Sequence, residues 1–362
     1  MNAGPHQDPL ATGHAANGGR PILVVPYMWI GDFVRCHSVV RLLKARWPQR
    51  PVDLLATDLN AALADYMPGV RKAVRGELPR RRLAAGRHWA LARRLRAEDY
   101  GTALIMSRKW KAALAPFLAG IPERIGFVGE ARFVLLSELR WGERKLARMV
   151  DQCAALALPN GAPWPTEWPR PELRVPEQEI AAWRARRTLA EDGRPVVAIA
   201  PGAVGPSKRW PAESYAKLAR QLSGQGFAVW VLGGPDETPI AAAIADGAGG
   251  RVQDLTGRHL REAILALAAA DVAVSNDSGL LHVAAAIGTP TIGIFGPTSP
   301  WHWAPINPLA GTIETTTEVP CRPCHRPVCR VGHHRCMRDI SVGQVMDAVA
   351  RAVARSDLAV AT

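Results

Sequence analysis

Short blocks of consecutive apolar, β-favouring residues recur along this chain, at Pro21 to Pro26, Val52 to Ala56, Ala103 to Met106, Val196 to Ala200, Ala228 to Leu232, Val272 to Ser275 and Thr291 to Phe295. Their length and composition predict buried strands, the block at Thr291 being the last of them. Between them apolar residues recur at helical spacing instead. One such stretch runs through Leu43 and an arginine-rich one precedes Ala103. Others run from Ser214 to Leu222, Thr238 to Ala245, Leu260 to Ala268 and Leu280 to Ile287. Strands alternating with helices predict an α/β fold with parallel, doubly wound sheets.

The alternation is interrupted once. From Pro159 to Pro176 the chain carries Pro163, Pro165, Pro169 and Pro171, too many imino acids for any regular element, and this reads as an interdomain linker. The expected organisation is a floppy leader at 1–19, a Rossmann-like half at 20–175, a second at 176–345, and a C-terminal helix or tail at 346–362. The two halves are expected to face each other across a cleft.

Bulk properties agree with this division. A chain of 362 residues is long for one core, and 48% hydrophobic with 21% charged residues is ordinary globular composition. No apolar stretch approaches the roughly 20 residues of a membrane span. The first 19 residues lack the basic start and apolar run of a secretory signal, so a cytoplasmic location is expected. The net charge of +13 implies an anionic partner. Much of that charge lies in Arg80, Arg81, Arg82, Arg87, Arg93, Arg94 and Arg96, with Trp89 and Leu91 between them. Such a stretch is either a solvated helix face or a surface for phosphates and lipid headgroups.

In open parallel sheets, ligands bind beyond the carboxyl ends of the strands. Three loops there carry chemistry. Asn276-Asp277-Ser278-Gly279 ends one strand and opens a small-residue helix whose free amides favour a diphosphate, with His282 on the same side of the first turn. Asp277 or Ser278 acting merely as a helix cap is the alternative. Pro201 to Pro211 offers Lys208 and Arg209 after a Gly- and Pro-rich segment, two cations for phosphate or an exposed basic turn. It is not a Walker loop, and no Gly-x-Gly-x-x-Gly is present. Asp32 follows Gly31 just after the first strand, where it reads either as a general base facing the nucleotide or as an N-cap.

At these loops the sequence resembles the inverting glycosyltransferases of family 9, the ADP-heptose:lipopolysaccharide heptosyltransferases, and within them the heptosyltransferase II type. The similarity lies in Gly31-Asp32, Pro201-Gly202-Ala203, Lys208-Arg209-Trp210-Pro211, Asn276 to Leu280 with His282 to Ala286, and Gly296-Pro297-Thr298-Ser299-Pro300. The segments Lys111 to Phe117, Ala119 to Pro122 and Arg124 to Gly126 add to it, so the resemblance extends over most of residues 21 to 345.

The resemblance implies a GT-B fold and metal-independent inverting transfer without a cofactor. It makes Asp32 the base, Lys208 the group that meets the leaving diphosphate, and Arg209, Asp277, Ser278, Gly279 and His282 the surroundings of the ADP-sugar. Glu237 corresponds to an acidic residue near the adenosine ribose. The implied donor is ADP-heptose and the implied acceptor a lipid A-Kdo-heptose at the anionic inner face of the inner membrane, with no specific nucleic acid. Another family 9 enzyme with a different sugar or acceptor is the near alternative. A basic, zinc- or nucleic-acid-binding protein is the remote one.

That remote alternative draws on the tail. Cys321, Cys324, Cys329 and Cys336 are spaced C-x2-C-x4-C-x6-C with His325, His333 and His334 among them. Reduced thiols in a basic loop and a structural zinc both fit this spacing. A catalytic metal is not expected, and Cys36 and Cys153 read as small core residues.

Overall fold

A computed structural model describes residues 19–77, 84–187 and 193–360, with side chains to Arg355. The leader before Gly19 and the cluster Arg80, Arg81 and Arg82 lie outside the described residues.

Two six-stranded sheets form, one from each side of the proline-rich linker. The first contains β1 (Ile22–Val25), β2 (Val52–Ala56), β3 (Val70–Arg75), β4 (Thr102–Ile105), β5 (Glu123–Phe127) and β6 (Glu138–Arg140), in the order β3-β2-β1-β4-β5-β6. The second contains β7 (Val196–Ala200), β8 (Ala228–Val231), β9 (Gln253–Asp254), β10 (Val272–Asn276), β11 (Thr291–Ile294) and β12 (Ala310–Ile313), in the order β12-β11-β10-β7-β8-β9. Every pairing is parallel, with Leu23 opposite Ala103 in the first sheet and Ala273 opposite Ala198 in the second.

Both halves therefore follow the same doubly wound order, the first strand lying beside the fourth. This order opens a crevice where the winding reverses. The reversals fall between β1 and β4 and between β7 and β10, so the loops after β1, β7 and β10 stand at them.

The central strands are buried throughout, as their apolar runs require. The elements that hydrophobicity does not announce are mainly peripheral. β3 is an edge strand, Val-Arg-Lys-Ala-Val-Arg, whose charged side chains are exposed, and β9 is only two residues long. β12 adds a further edge strand beyond the Thr291 block. The helical stretch ending at Leu43 is two helices, α1 (Ile30–Arg35) and α2 (His37–Arg46), joined at Cys36, whose amide bonds the Asp32 carbonyl. At the other end, one continuous helix, Val342–Val360, runs through position 345 rather than beginning a separate tail.

The linker contains no helix or strand, and it fastens the halves together. Leu173 donates its amide to the Ala286 carbonyl of the second half, and Arg174 donates to Tyr66 of the first, both at 2.8 Å. Beyond it, Trp183 packs edge-on against Trp230 at 5.6 Å. Arg261 bonds the Tyr66 hydroxyl at 2.8 Å and stacks on its ring.

His37 anchors the same seam. Buried on α2, it accepts the Glu172 amide at Nδ1 and donates from Nε2 to the Pro68 carbonyl, each at 2.9 Å. Both nitrogens are committed to the neutral ring, and burial holds its pKa down at about 4. The unfolded ring titrates near ~6.5, so below that pH the unfolded chain binds a proton that the folded one refuses. Stability should fall as pH drops from about 6.5 to about 4, by up to ~3 kcal/mol from this group. Urea titrations at pH 7 and pH 5 measure the change, and a midpoint that stays constant would contradict it.

Candidate active site

Asp32 occupies the first turn of α1, directly after β1. The helix begins at Trp29 without a side-chain cap, so the cap reading of Asp32 does not hold. Its Oδ1 instead accepts Arg35 Nη1 at 2.5 Å, and no hydrogen bond to Oδ2 is present among the described residues. Arg35 reaches further. Its Nη2 donates to His282 Nε2 at 2.6 Å and to the Trp303 carbonyl at 3.1 Å, both in the second half.

That reach is possible because α1 and the nine-residue helix Gly279–Ile287 meet almost backbone to backbone. A Cβ on Gly31 would lie 2.7 Å from the His282 ring, and one on Gly279 would lie 2.7 Å from Ile30. The two loops at the strand-order reversals are thus in direct contact, and glycine is what permits it.

Ser278 stands at the N-cap position of the Gly279 helix but makes no capping bond. Its hydroxyl lies 3.1 Å from that of Ser275. The first amides of this helix have no acceptor within it and, with the helix dipole, favour an anion. Asp277 next to it is buried and committed through one carboxylate oxygen. Only 5% exposed, it accepts Lys208 Nζ and the Thr298 hydroxyl on the same oxygen, both at 2.7 Å. It holds Lys208, whose side chain is 31% exposed, at the start of this helix.

Asn276 ties the loops behind this pair. It donates to the Pro201 carbonyl at 2.6 Å and accepts from the Trp210 amide and the Tyr215 hydroxyl. Arg209 donates back to the Ala203 carbonyl at 3.0 Å. Glu237 lies over the ends of β7 and β8, its Oε2 accepting the Gly234 amide at 2.9 Å. Its stem fills the space a Cβ on Gly202 or Gly233 would need.

His282 is buried, and burial, followed by the nearby Arg35 and Lys208 cations, pushes its pKa well below the usual histidine value. The imidazole is therefore neutral.

The cysteine segment braces the same site. Ser207 donates its amide to the Pro327 carbonyl at 3.1 Å and its hydroxyl to the Arg326 carbonyl. His334 bonds the Ser207 carbonyl at 2.6 Å, and the Cys324 and His325 amides both bond the Pro297 carbonyl. The tail thus holds the loop that carries Lys208 and the one that carries Thr298. All four tail cysteines are free thiols. Backbone amides led by that of His334 lower the Cys329 pKa, while burial and the nearby Cys324 raise Cys336 to about 11. Cys321 Sγ lies 3.9 Å from His333 Nε2. Among the described residues no group of three or more His, Cys, Asp or Glu side chains is set to hold a metal ion.

The structure thus brings Asp32, Lys208, Asp277, Ser278, Gly279 and His282 to the two reversal points, with Glu237 and Arg209 at the rim. Sequence alone assigns no role to Arg35 or Thr298. The spacing of Asp32 and Arg35, three apart at a helix start, is a signal from which their pairing can be read.

Comparison with known proteins gives the chain a family and the fold a match. Residues 88–334 match the model of glycosyltransferase family 9 (heptosyltransferase). The chain is 34% identical over 340 residues to lipopolysaccharide heptosyltransferase 2 of Escherichia coli K12, covering 90% of this chain and 96% of that one. It is likewise 34% identical over 305 residues to lipooligosaccharide heptosyltransferase 2 of Haemophilus influenzae, covering 81% and 88%. Among solved structures, E. coli ADP-heptose lps heptosyltransferase II superposes with a TM-score of 0.82 at 31% identity, covering 93% of this chain and 99% of that one. E. coli heptosyltransferase WaaC with ADP, at 18% identity and a TM-score of 0.72 over 92% and 99%, shares the fold.

Proposed function

The chain belongs to glycosyltransferase family 9, the heptosyltransferases, and from that premise we propose that it transfers L-glycero-D-manno-heptose from ADP-heptose to the inner-core heptose of a lipid A-Kdo-heptose acceptor. Its two Rossmann-like halves make the GT-B arrangement. The observation that carries the proposal is the apposition of loops from different halves. The first half presents the Asp32 carboxylate after β1, and the second presents Lys208 after β7 and an amide-rich helix start after β10.

The chemistry follows from that apposition. Asp32 Oδ2 takes the proton of the acceptor hydroxyl, and the oxygen attacks the anomeric carbon on the face opposite the ADP, giving inversion. As the new C–O bond forms, the bond to the diphosphate breaks. The charge that develops on ADP is met by the Lys208 ammonium and the Gly279 helix amides. Glu237, at the ends of β7 and β8, is suited to the ribose hydroxyls. Mass spectrometry of the inner-core oligosaccharide from a deletion strain tests the reading. A core truncated after one heptose supports it, and an intact core or loss of another sugar defeats it.

The reaction needs no resident metal in this reading, because fixed cations and dipoles do the work of one. EDTA should therefore leave kcat within about twofold. Loss of activity restored by magnesium or manganese would contradict this.

An acylated, phosphorylated acceptor implies work at the anionic inner face of the inner membrane. No helix of the described residues is long and apolar enough to cross a membrane, so contact would be peripheral. The helix Ala85–Ala97 is the surface we propose for it, with two amendments. Leu91 is buried in the core, and Arg94 and Arg96 are committed to the carbonyls of Arg75, Leu118 and Ala119. That leaves Arg87, Arg93 and Trp89, the last 53% exposed; Arg80 to Arg82 precede them in the sequence, outside the described residues. At about 1 kcal/mol per cation, replacing Arg80, Arg81, Arg82 and Arg87 by Gln should abolish salt-sensitive sedimentation with anionic vesicles. Activity on a delipidated acceptor should be spared. Sedimentation equal to the wild type would assign the membrane contact to another face.

A further inference from the structure

We propose that Arg35 is a positioning residue that makes the aim of the Asp32 carboxylate depend on the docking of the donor-binding half. The proposal rests on the reading of Asp32 as the base. Arg35 belongs to the first half and is 7% exposed. One arm of its fork holds Asp32 Oδ1 at 2.5 Å. The other arm ends entirely on the second half, at His282 Nε2 (2.6 Å) and the Trp303 carbonyl (3.1 Å), and the guanidinium lies 5.2 Å from the Trp303 ring centre.

A guanidinium has no acceptor to offer, so Nε2 of His282 must be the acceptor and the ring proton must sit on Nδ1. Burial and the flanking cations keep that ring neutral, which is the state able to receive Arg35. His282 lies in the first turn of the helix whose amides face the donor phosphates. The base is thereby connected, through one side chain, to the element that binds the leaving group.

With Oδ1 held, Oδ2 is the oxygen left to take the acceptor proton. If the halves separate, Nη2 loses both of its second-half acceptors together, and the long arginine stem regains its rotamers with Asp32 still attached to it. The base is then no longer aimed. Lysine cannot substitute fully, since it lacks the planar fork that spans two partners.

Steady-state transfer and ADP calorimetry on Arg35→Gln, Arg35→Lys and Arg35→Ala test this. Loss of aim should lower kcat about tenfold to a hundredfold in Arg35→Gln, while the donor KM and the ADP Kd stay within about twofold of wild type. Arg35→Lys should recover only part of the loss. Arg35→Ala should regain activity with added methylguanidine, because a small pocket lined by Arg35, Pro171, His282 and Ala304 adjoins the guanidinium. A kcat equal to wild type overturns the proposal. So does a loss of ADP affinity in step with kcat, which would make Arg35 a strut of the donor pocket. If the Gln variant does not fold, the Lys variant and the methylguanidine rescue decide. A wild-type enzyme that binds ADP but transfers no heptose would overturn the reading of the reaction, and this proposal with it.

Discussion

Asp32→Asn should reduce heptose transfer by ~10²–10⁴, the usual contribution of a general base, while ADP-heptose affinity changes by no more than a few fold. The substitution is nearly isosteric. The amide oxygen can still accept Arg35 Nη1, so the helix start and the contact with His282 should survive. What disappears is the capacity of the second oxygen to take a proton from the acceptor. Because the carboxylate acts on acceptor and not on donor, single-turnover transfer and ADP calorimetry should separate cleanly. Retained turnover in this variant would remove Asp32 from the role of base.

Lys208→Ala should weaken ADP binding and slow transfer together, since a charge-assisted contact to a diphosphate is worth roughly 1.5–3 kcal/mol, or about tenfold to a hundred-and-fiftyfold. The structure adds a second cost. Asp277 is buried, and without Lys208 its carboxylate keeps, among the described residues, only Thr298 as a side-chain partner. An uncompensated buried charge is destabilising, so the melting temperature should fall as well. Lys208→Ala combined with Asp277→Asn isolates the two effects. The double variant should recover stability and not ADP affinity. Wild-type ADP affinity and rate in Lys208→Ala would rule out the diphosphate contact.

Much of this site is legible in the sequence because it lies where chain geometry concentrates chemistry. Central strands such as β7 and β10 are buried on both faces, and their apolar runs mark their own ends, so the loops carrying Lys208 and Ser278 identify themselves. Peripheral elements behave differently. β3 interrupts its core-facing Val70, Ala73 and Val74 with exposed charged residues, and β9 makes a two-residue pairing, so neither forms a continuous apolar run.

Side-chain partnerships are less legible again, because they join residues far apart in sequence. Asp277 reads as a ligand-binding group, with a helix cap as the alternative, until Lys208 is found 2.7 Å away. Arg35 reads as an ordinary helical arginine until His282 and Trp303, from another domain, close around it. The tail reads as a structural zinc motif or as reduced thiols in a basic loop. Its backbone shows a second use, since the carbonyls and amides around Arg326, Pro327 and Cys324 hold two donor-site loops whatever the thiols do.

That bracing has a consequence for how the enzyme is born. Ser207, beside Lys208, is held by Arg326 and His334, which lie 119 and 127 positions further along the chain. At ~5–20 residues per second during synthesis, those braces leave the ribosome roughly 6–25 s after the loop they hold. The first half can fold in that interval, and so can the strands around β7. The Lys208 loop cannot take its final shape until the tail arrives, so a nascent or prematurely terminated chain should carry a finished first domain and an incompetent donor site.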